Sequence, residues 1–325
     1  MTHLRLLGLT ILFTLVGCGG GGEKHYVPDP HPQPAPDPTT IVDVAVADGR
    51  FTTLVAALQA AGLDGTLDDE NAEFTVFAPT DDAFNLLGQD AIDSLLADTE
   101  TLTDILTYHV LSGEVDASQA ISLAGSAVEM VNGDSIGLSL DNEDLLINTS
   151  TVIIADVQAD NGIIHVIDAV LIPPAEKGEP SMDIVETAVA DGNFTTLVAT
   201  LQATGLDAAL SDDSVNYTVF APTDAAFAMI DPATIDILLA NTDVLSSILL
   251  QHVVDAEVNS VTAYTLNGAS AATLSGANIP VLINSETDTL TFGGATIIAK
   301  DIYTSNGIIH VIDTVVIADV EIPDP

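Results

Sequence analysis

The chain contains no tryptophan, one cysteine, five tyrosines and only five basic residues, and each shortage removes a class of function. A lone cysteine cannot form an internal disulfide, so no disulfide framework holds the fold. Scarce Trp and Tyr argue against a surface that stacks on sugar rings. Five lysines and arginines against 48 acidic residues give a formal net charge of −43. That field repels nucleic-acid phosphates and anionic lipid headgroups, which excludes nucleic acid as a partner. No nucleophile elbow, HExxH, phosphate loop or EF-hand occurs, so no enzymatic activity is expected. Charged residues are only 16% of the chain and hydrophobic ones 47%, enough for a sizeable core, and 325 residues suggest two domains. So acidic a surface suits a saline or calcium-rich setting, where screening relieves self-repulsion.

The N-terminal segment MTHLRLLGLTILFTLVG, residues 1–17, carries Arg5 and then an apolar stretch from Leu6 to Val16. It reads as a signal peptide, too short to span a membrane. LVGC, Leu15 to Cys18, resembles the bacterial lipobox, which implies cleavage before Cys18 and lipidation of its thiol. Gly19 in place of an aspartate implies, by resemblance to proteobacterial lipoproteins, an outer-membrane lipoprotein of a Gram-negative bacterium. Several acyl chains on one cysteine anchor firmly. Residues 18–38 pass from glycine-rich to proline-rich and read as a stalk, reaching roughly 60 Å from the membrane at about 3.1 Å per residue. His25 and His31 lie in this stalk and are not preorganised for a metal.

Internal repetition organises the rest. DGRFTTLVAALQAAGLDGTL at Asp48 to Leu67 returns at Asp191 to Leu210, FTVFAPTDDAF at Phe74 to Phe84 returns at Tyr217 to Phe227, and NGIIHVID at Asn161 to Asp168 recurs letter for letter at Asn306 to Asp313. The later offset is larger than the earlier one, so two residues are inserted in the second copy, one expected near Lys300. Thr40 and Asp183, each followed by an acid three residues on (Asp43, Glu186), read as helix N-caps. Phe51, Leu54, Val55 and Leu58 have amphipathic helical spacing, with Gly62 as the C-cap. FTVFAP alternates as a strand, and Thr80 or Asp81 opens the next helix. The later half of each copy reads as several strands, so the class is α+β.

FTVFAPTDDAF, the Thr107 to Val115 segment TYHVLSGEV and NGIIHVIDAVLIP, found in that order in both copies, resemble the signature blocks of the fasciclin-like domain. The resemblance covers residues 39–174 and 182–318, with a linker at 175–181 and an acidic tail at 319–325. It implies two tandem domains, each a wedge-shaped β-sandwich packed against several helices, and a role in cell adhesion or extracellular-matrix contact. In animal members a Tyr-His motif and an Asp-Ile motif ahead of the Asn-Gly turn are associated with integrins. Here the candidate adhesion contacts are Tyr108, His109, Asp156 and Val157 in the first copy and Gln251, His252, Asp301 and Ile302 in the second. Neither copy holds both motifs, a departure from the integrin-binding pattern.

Strand alternation sends His165 and Asp168 to opposite faces, so they cannot pair. His165 and His310 are expected in the structural core. His109 and His252 fall on the apolar face of their helices, and no third ligand for a metal is apparent. No cofactor is expected, and the paired acids Asp68-Asp69 and Asp212-Asp213, in polar loops, would bind calcium only weakly. The expected partner is a matrix protein, a cell-surface protein or a glycan, with the membrane reached through the lipid anchor. Capture of a carbohydrate or other solute by a surface lipoprotein is the alternative.

Replacing Cys18 by Ser is expected to move the protein from the membrane to the soluble fraction while both domains stay folded, read by palmitate labelling and fractionation. A wild-type chain that incorporates no lipid removes the anchor.

Overall fold

The computed structural model describes residues 39–318 and 320–322. Cys18, His25 and His31, with the expected signal peptide and stalk, lie outside the described residues. The first domain runs α1 (Ile41–Asp48), α2 (Thr52–Ala61), α3 (Asp64–Leu67), β1 (Phe74–Pro79), α4 (Asp81–Leu87), α5 (Gln89–Ala97), α6 (Thr99–Tyr108), β2 (Val110–Ser112), α7 (Ala117–Ser122), β3 (Ser126–Glu129), β4 (Ser135–Asp141), β5 (Asp144–Ile147), β6 (Ser150–Ala159) and β7 (Gly162–Ile167). The second repeats it as α8 (Ile184–Asp191), α9 (Thr195–Thr204), α10 (Asp207–Leu210), β8 (Tyr217–Pro222), α11 (Asp224–Ala228), α12 (Pro232–Ala240), α13 (Thr242–Leu250), β9 (Val253–Val254), α14 (Ser260–Thr265), β10 (Ser270–Ala272), β11 (Asn278–Asn284), β12 (Thr289–Phe292), β13 (Ala295–Thr304) and β14 (Gly307–Ile312).

Local chemistry sets the helix ends. Thr40 and Asp183 form capping boxes with Asp43 and Glu186. Gly62 turns left-handed at φ 68°, and the Leu63 N–H reaches back to the Leu58 carbonyl at 3.0 Å. Thr80 caps α4 through the Ala83 N–H. Asp81 serves a different helix: its carboxylate accepts the Thr52 hydroxyl at 2.6 Å and the Thr53 N–H at 2.7 Å, capping α2 across the fold. Asp224 does the same for Thr195 and Thr196. Against the opposing effect of burial, those bonds pull the Asp224 carboxyl down to about 2.

Each domain holds one seven-stranded sheet, ordered β2-β1-β7-β6-β5-β4-β3 in the first and β9-β8-β14-β13-β12-β11-β10 in the second. All neighbours are antiparallel except β1 with β7 and β8 with β14. Strand β6 loses register with β7 twice, between Val152 and Ile154 and again before Val157. These bulges bend the sheet on itself into a wedge-shaped sandwich. Phe77 and Ile167 then face Ile136, Leu138, Leu145 and Ile147 across the inner core. On the other side of β1 and β7, Val76, Ala78, Ile164 and Val166 pack against Phe51, Leu54, Leu58 and Leu106 of the helical layer. FTVFAP is therefore buried on both faces rather than half exposed. Buried Thr75 is satisfied by donating to the Gly113 carbonyl and accepting from the Val115 N–H.

The Asn-Gly pairs lock this arrangement. Asn161 accepts the Ile41 N–H at 2.8 Å and donates to the Leu67 carbonyl at 2.8 Å, tying the start of α1 to the end of α3. Asn306 repeats it with Ile184 and Leu210. A Cβ on Gly162 would lie 1.9 Å from the Phe74 carbonyl oxygen, at φ 148°, so only glycine fits.

Equivalent strand registers locate the insertion. Asp141 pairs with Asp144 around a two-residue turn, but Asn284 pairs with Thr289 around four residues. Both extra residues therefore lie in the β11–β12 turn. Lys300 matches Ala155 with nothing added beside it, which corrects the expected position. Nor is the chain past residue 318 simply a tail, since Val320 and Ile322 pack on the second core.

The domains meet where α14 lies on the outer face of β4. Leu146 of β5 joins the second domain's cluster with Phe292 and Ile279. The Asn267 side chain donates to the Leu140 carbonyl at 3.1 Å, and linker Lys177 pairs with Glu257 at 2.6 Å. A Cβ on Gly137 would come within 2.7 Å of the Tyr264 Cβ and 2.9 Å of the Val261 carbonyl oxygen. Gly137→Ala is accordingly expected to unseat the domains without unfolding either. Small-angle scattering should report a larger radius of gyration at unchanged far-UV circular dichroism, and an unchanged radius would refute the contact.

Candidate functional site

Four histidines sit in the described core, and all are wired into backbone. His109 ends α6: its Nδ1–H donates to the Ile105 carbonyl at 2.7 Å, and its Nε2 accepts the Leu171 N–H at 2.9 Å. His252 makes the same clip with Ile248 and Val316. Burial pushes both imidazoles down to about 4, against the opposing backbone bond, so both are neutral at pH 7. His165 and His310 use the opposite tautomer. Their Nε2–H groups donate to the Val115 and Val258 carbonyls at 2.9 and 2.8 Å, while Nδ1 accepts the N–H of Asp156 or Asp301 at 3.3 Å. Burial lowers the His310 pKa as well. Each ring stacks on a β-strand phenylalanine, Phe77 or Phe220. With both nitrogens of each ring bonded, a metal could enter only by breaking one of these bonds.

Burial removes most of the expected adhesion contacts from the surface. Tyr108, His109, Gln251, His252 and Asp301 are buried, so their side chains cannot meet a partner; the half-buried Val157 and Ile302 pack against the helical cores. Tyr108 donates to the Ser135 carbonyl at 2.8 Å and accepts from Asn148 at 3.0 Å. Asn148 in turn accepts the Gly137 N–H, so this network supports the face on which α14 docks. In the second copy Gln251 instead bonds the Ala318 backbone in both directions. Asp156 alone is exposed, and it too has a structural task. At φ 59° it forms the β6 bulge, presents its N–H to His165 and accepts the Ala117 N–H at the start of α7 at 2.8 Å. Asp301, at φ 57°, does likewise for Ser260 of α14. The Asp motif of each copy thus belongs to a bulge network with His165 or His310, separate from the bonds made by His109 and His252.

The His165–Asp168 separation holds: Asp168 accepts the Ser150 hydroxyl and the Thr151 N–H instead. One acid of each pair forms a turn, while Asp68 and Asp213 accept the Thr40 and Ser305 hydroxyls. Asp69 holds the Asn71 N–H and side chain, and Asp212 the Ser214 N–H. Among the described residues no group of three or more His, Cys, Asp or Glu is placed to hold a metal ion. Reading the sequence missed the role of Asp81 and Asp224 as long-range caps, although the repeated Thr-Asp after each strand was the available signal.

A cleft of about 440 Å³ lies between the domains. Leu86, Ser150 and Ile172 line it from the first domain; Tyr264, Asp288 and Lys300 from the second. The Lys300 ammonium donates to the Tyr264 hydroxyl at 2.7 Å, 5.3 Å from the ring centroid.

The hydrogen bonds fix the tautomers. Nitrogen-15 NMR at pH 7 is expected to show His109 and His252 as Nδ1–H and His165 and His310 as Nε2–H, with the first pair still neutral at pH 5. A zinc ion bound per domain and lost on His165→Ala would overturn the packing role.

The Fasciclin domain profile matches residues 49–173 and 192–318. Protein sll1483 of Synechocystis sp. is 44% identical over 137 residues, 42% of this chain and 74% of that protein. Transforming growth factor-beta-induced protein ig-h3 of Sus scrofa is 40% identical over 144 residues, 44% of this chain and 21% of its own length. Cell surface glycolipoprotein MPB83 of Mycobacterium bovis is 35% identical over 104 residues, 32% of this chain and 46% of that protein. Among solved structures, a FAS1 domain pair from the insect cell adhesion molecule Fasciclin I covers 84% of this chain and 98% of its own, at 20% identity and a TM-score of 0.39. With both halves of the folded region matched, the chain belongs to the fasciclin domain family.

Proposed function

We propose that this is a non-catalytic adhesion protein of the cell envelope, held at the outer membrane of a Gram-negative bacterium through Cys18 and raised on the stalk of residues 18–38. Its partner is a matrix protein, a cell-surface protein or a glycan. The observation that carries this reading is the match of both halves to the fasciclin domain, among whose relatives is a cell surface glycolipoprotein. The buried motif residues fit it: with the histidines and Tyr108 committed to architecture, recognition falls to the acidic outer surface. At −43 overall, two such surfaces repel unless ions intervene, and the screening length falls from about 30 Å at 0.01 M salt to about 8 Å at 0.15 M.

The interdomain cleft favours a second reading, capture of a small solute, because its volume lies in the range of ligand pockets. A deletion strain and its complemented counterpart, compared for attachment to matrix-coated surfaces across a sodium and calcium series, separate the two. Adhesion predicts attachment only in the complemented strain, rising with salt or millimolar divalent cation. Equal attachment by both strains under every condition removes adhesion as the function.

A further inference from the structure

The two residues added to the second copy enlarge the β11–β12 turn, and that turn reaches the first domain. The Ser285 hydroxyl donates to the Asp141 carboxylate of β4 at 2.8 Å. Asp288, at the far end of the turn, lines the interdomain cleft in a left-handed conformation at φ 51°. Its Oδ1 is sealed from solvent without a hydrogen-bond partner. The charged group that acts on it is Asp168, just past the end of β7, which brings a negative charge from the first domain. The other charged or titratable groups lining the cleft come from the second domain: Glu286 of the same turn, Lys300 of β13 and Tyr264 of α14. The Lys300 ammonium is held by Tyr264, and the ion pairs among the described residues are Arg50–Asp48 and Lys177–Glu257. Docking therefore carries Asp288 into the field of Asp168 with no cation bound to it.

We propose that Asp288 is a proton-operated latch between the domains: uncharged, it lets the enlarged turn stay seated on the first domain, and charged, it loosens that seat. Burial first, and the charge of Asp168 second, push its carboxyl up to about 6. Undocked, it returns toward the ordinary aspartate value near 4. The docked form is thus fully favoured below that ordinary value, and the advantage is lost as pH rises through about 6. One proton changes the docked-to-undocked ratio by at most about tenfold per pH unit. His109 and His252, at about 4, stay neutral through the upper part of this window.

The test uses the full chain with Cys18→Ser, spin-labelled at Ser94→Cys and Ser214→Cys, exposed positions in the two domains. Pulsed electron paramagnetic resonance at low salt is expected to give a narrow distance distribution at pH 4.5 that broadens by pH 7.5. Asp288→Asn, which tolerates the left-handed backbone, should stay narrow throughout, and Asp168→Asn should move the midpoint to higher pH, because the unseating charge is weaker. A wild-type distribution that does not move with pH overturns the latch. So does an Asp288→Asn protein that still moves, or that is broad at every pH.

Discussion

Each domain depends on the parallel pairing of its first long strand with its last, Phe77 opposite His165 and Phe220 opposite His310. Parallel neighbours cannot be joined by a tight turn, so the chain after Pro79 must travel far before it returns at Gly162. It does so as helices on one face and as the second layer of strands on the other. Both faces of β1 and β7 are therefore buried, and any polar group there needs an internal partner. His165 and Thr75 meet that requirement through Val115, Asp156 and Gly113 of the crossing chain, and Asn161 through Ile41 and Leu67 of the helices ahead of β1. The bulge at Asp156 belongs to the same system, since its N–H completes His165 and its carboxylate starts α7.

The duplication is broken where the domains touch. Register places Pro280 of β11 where β4 has Gly137, and Pro280 is exposed. Ile121, 43% exposed on α7, stands where α14 has buried Tyr264. A further domain could not seat on β11 as α14 seats on β4, because a side chain at position 137 would already collide with Tyr264. The shorter β4–β5 turn likewise lacks the reach of its counterpart. The two copies share one fold but have diverged into complementary halves of a single contact.

Much of this was legible in the sequence because it is set locally or repeated. Capping boxes at Thr40 and Asp183, the glycine end of α2 and the aliphatic run around His165 each declare themselves within a few residues. Asp81 could be read only as a helix start, since the helix it caps lies 29 residues earlier in the chain. The motif pairs Tyr108-His109 and Asp301-Ile302 suggested a surface by resemblance; the bulge that turns Asp301 inward depends on strand pairing, which spacing alone does not show. One of the two inserted residues was expected near Lys300 for the same reason. An insertion in a dissimilar stretch has no address until the ladder on either side fixes the register.

Charge distribution follows from that asymmetry. The described residues contain three lysines and arginines, and two of them stand at the domain boundary: Lys177 against Glu257 and 6.0 Å from the Tyr303 ring centroid, Lys300 on the Tyr264 hydroxyl. An exposed ion pair stabilises by about 1 kcal/mol or less, so Lys177–Glu257 cannot hold two strongly acidic bodies together. Burial of Leu146 and Tyr264 contributes more, at about 25 cal/mol per Å² of apolar surface. The lysines instead offset repulsion at the place where the domains approach. Added salt weakens one short ion pair but screens many longer-range repulsions, and for a chain this acidic the second effect is the larger. Docking of the two domains should thus tighten, rather than loosen, as ionic strength rises.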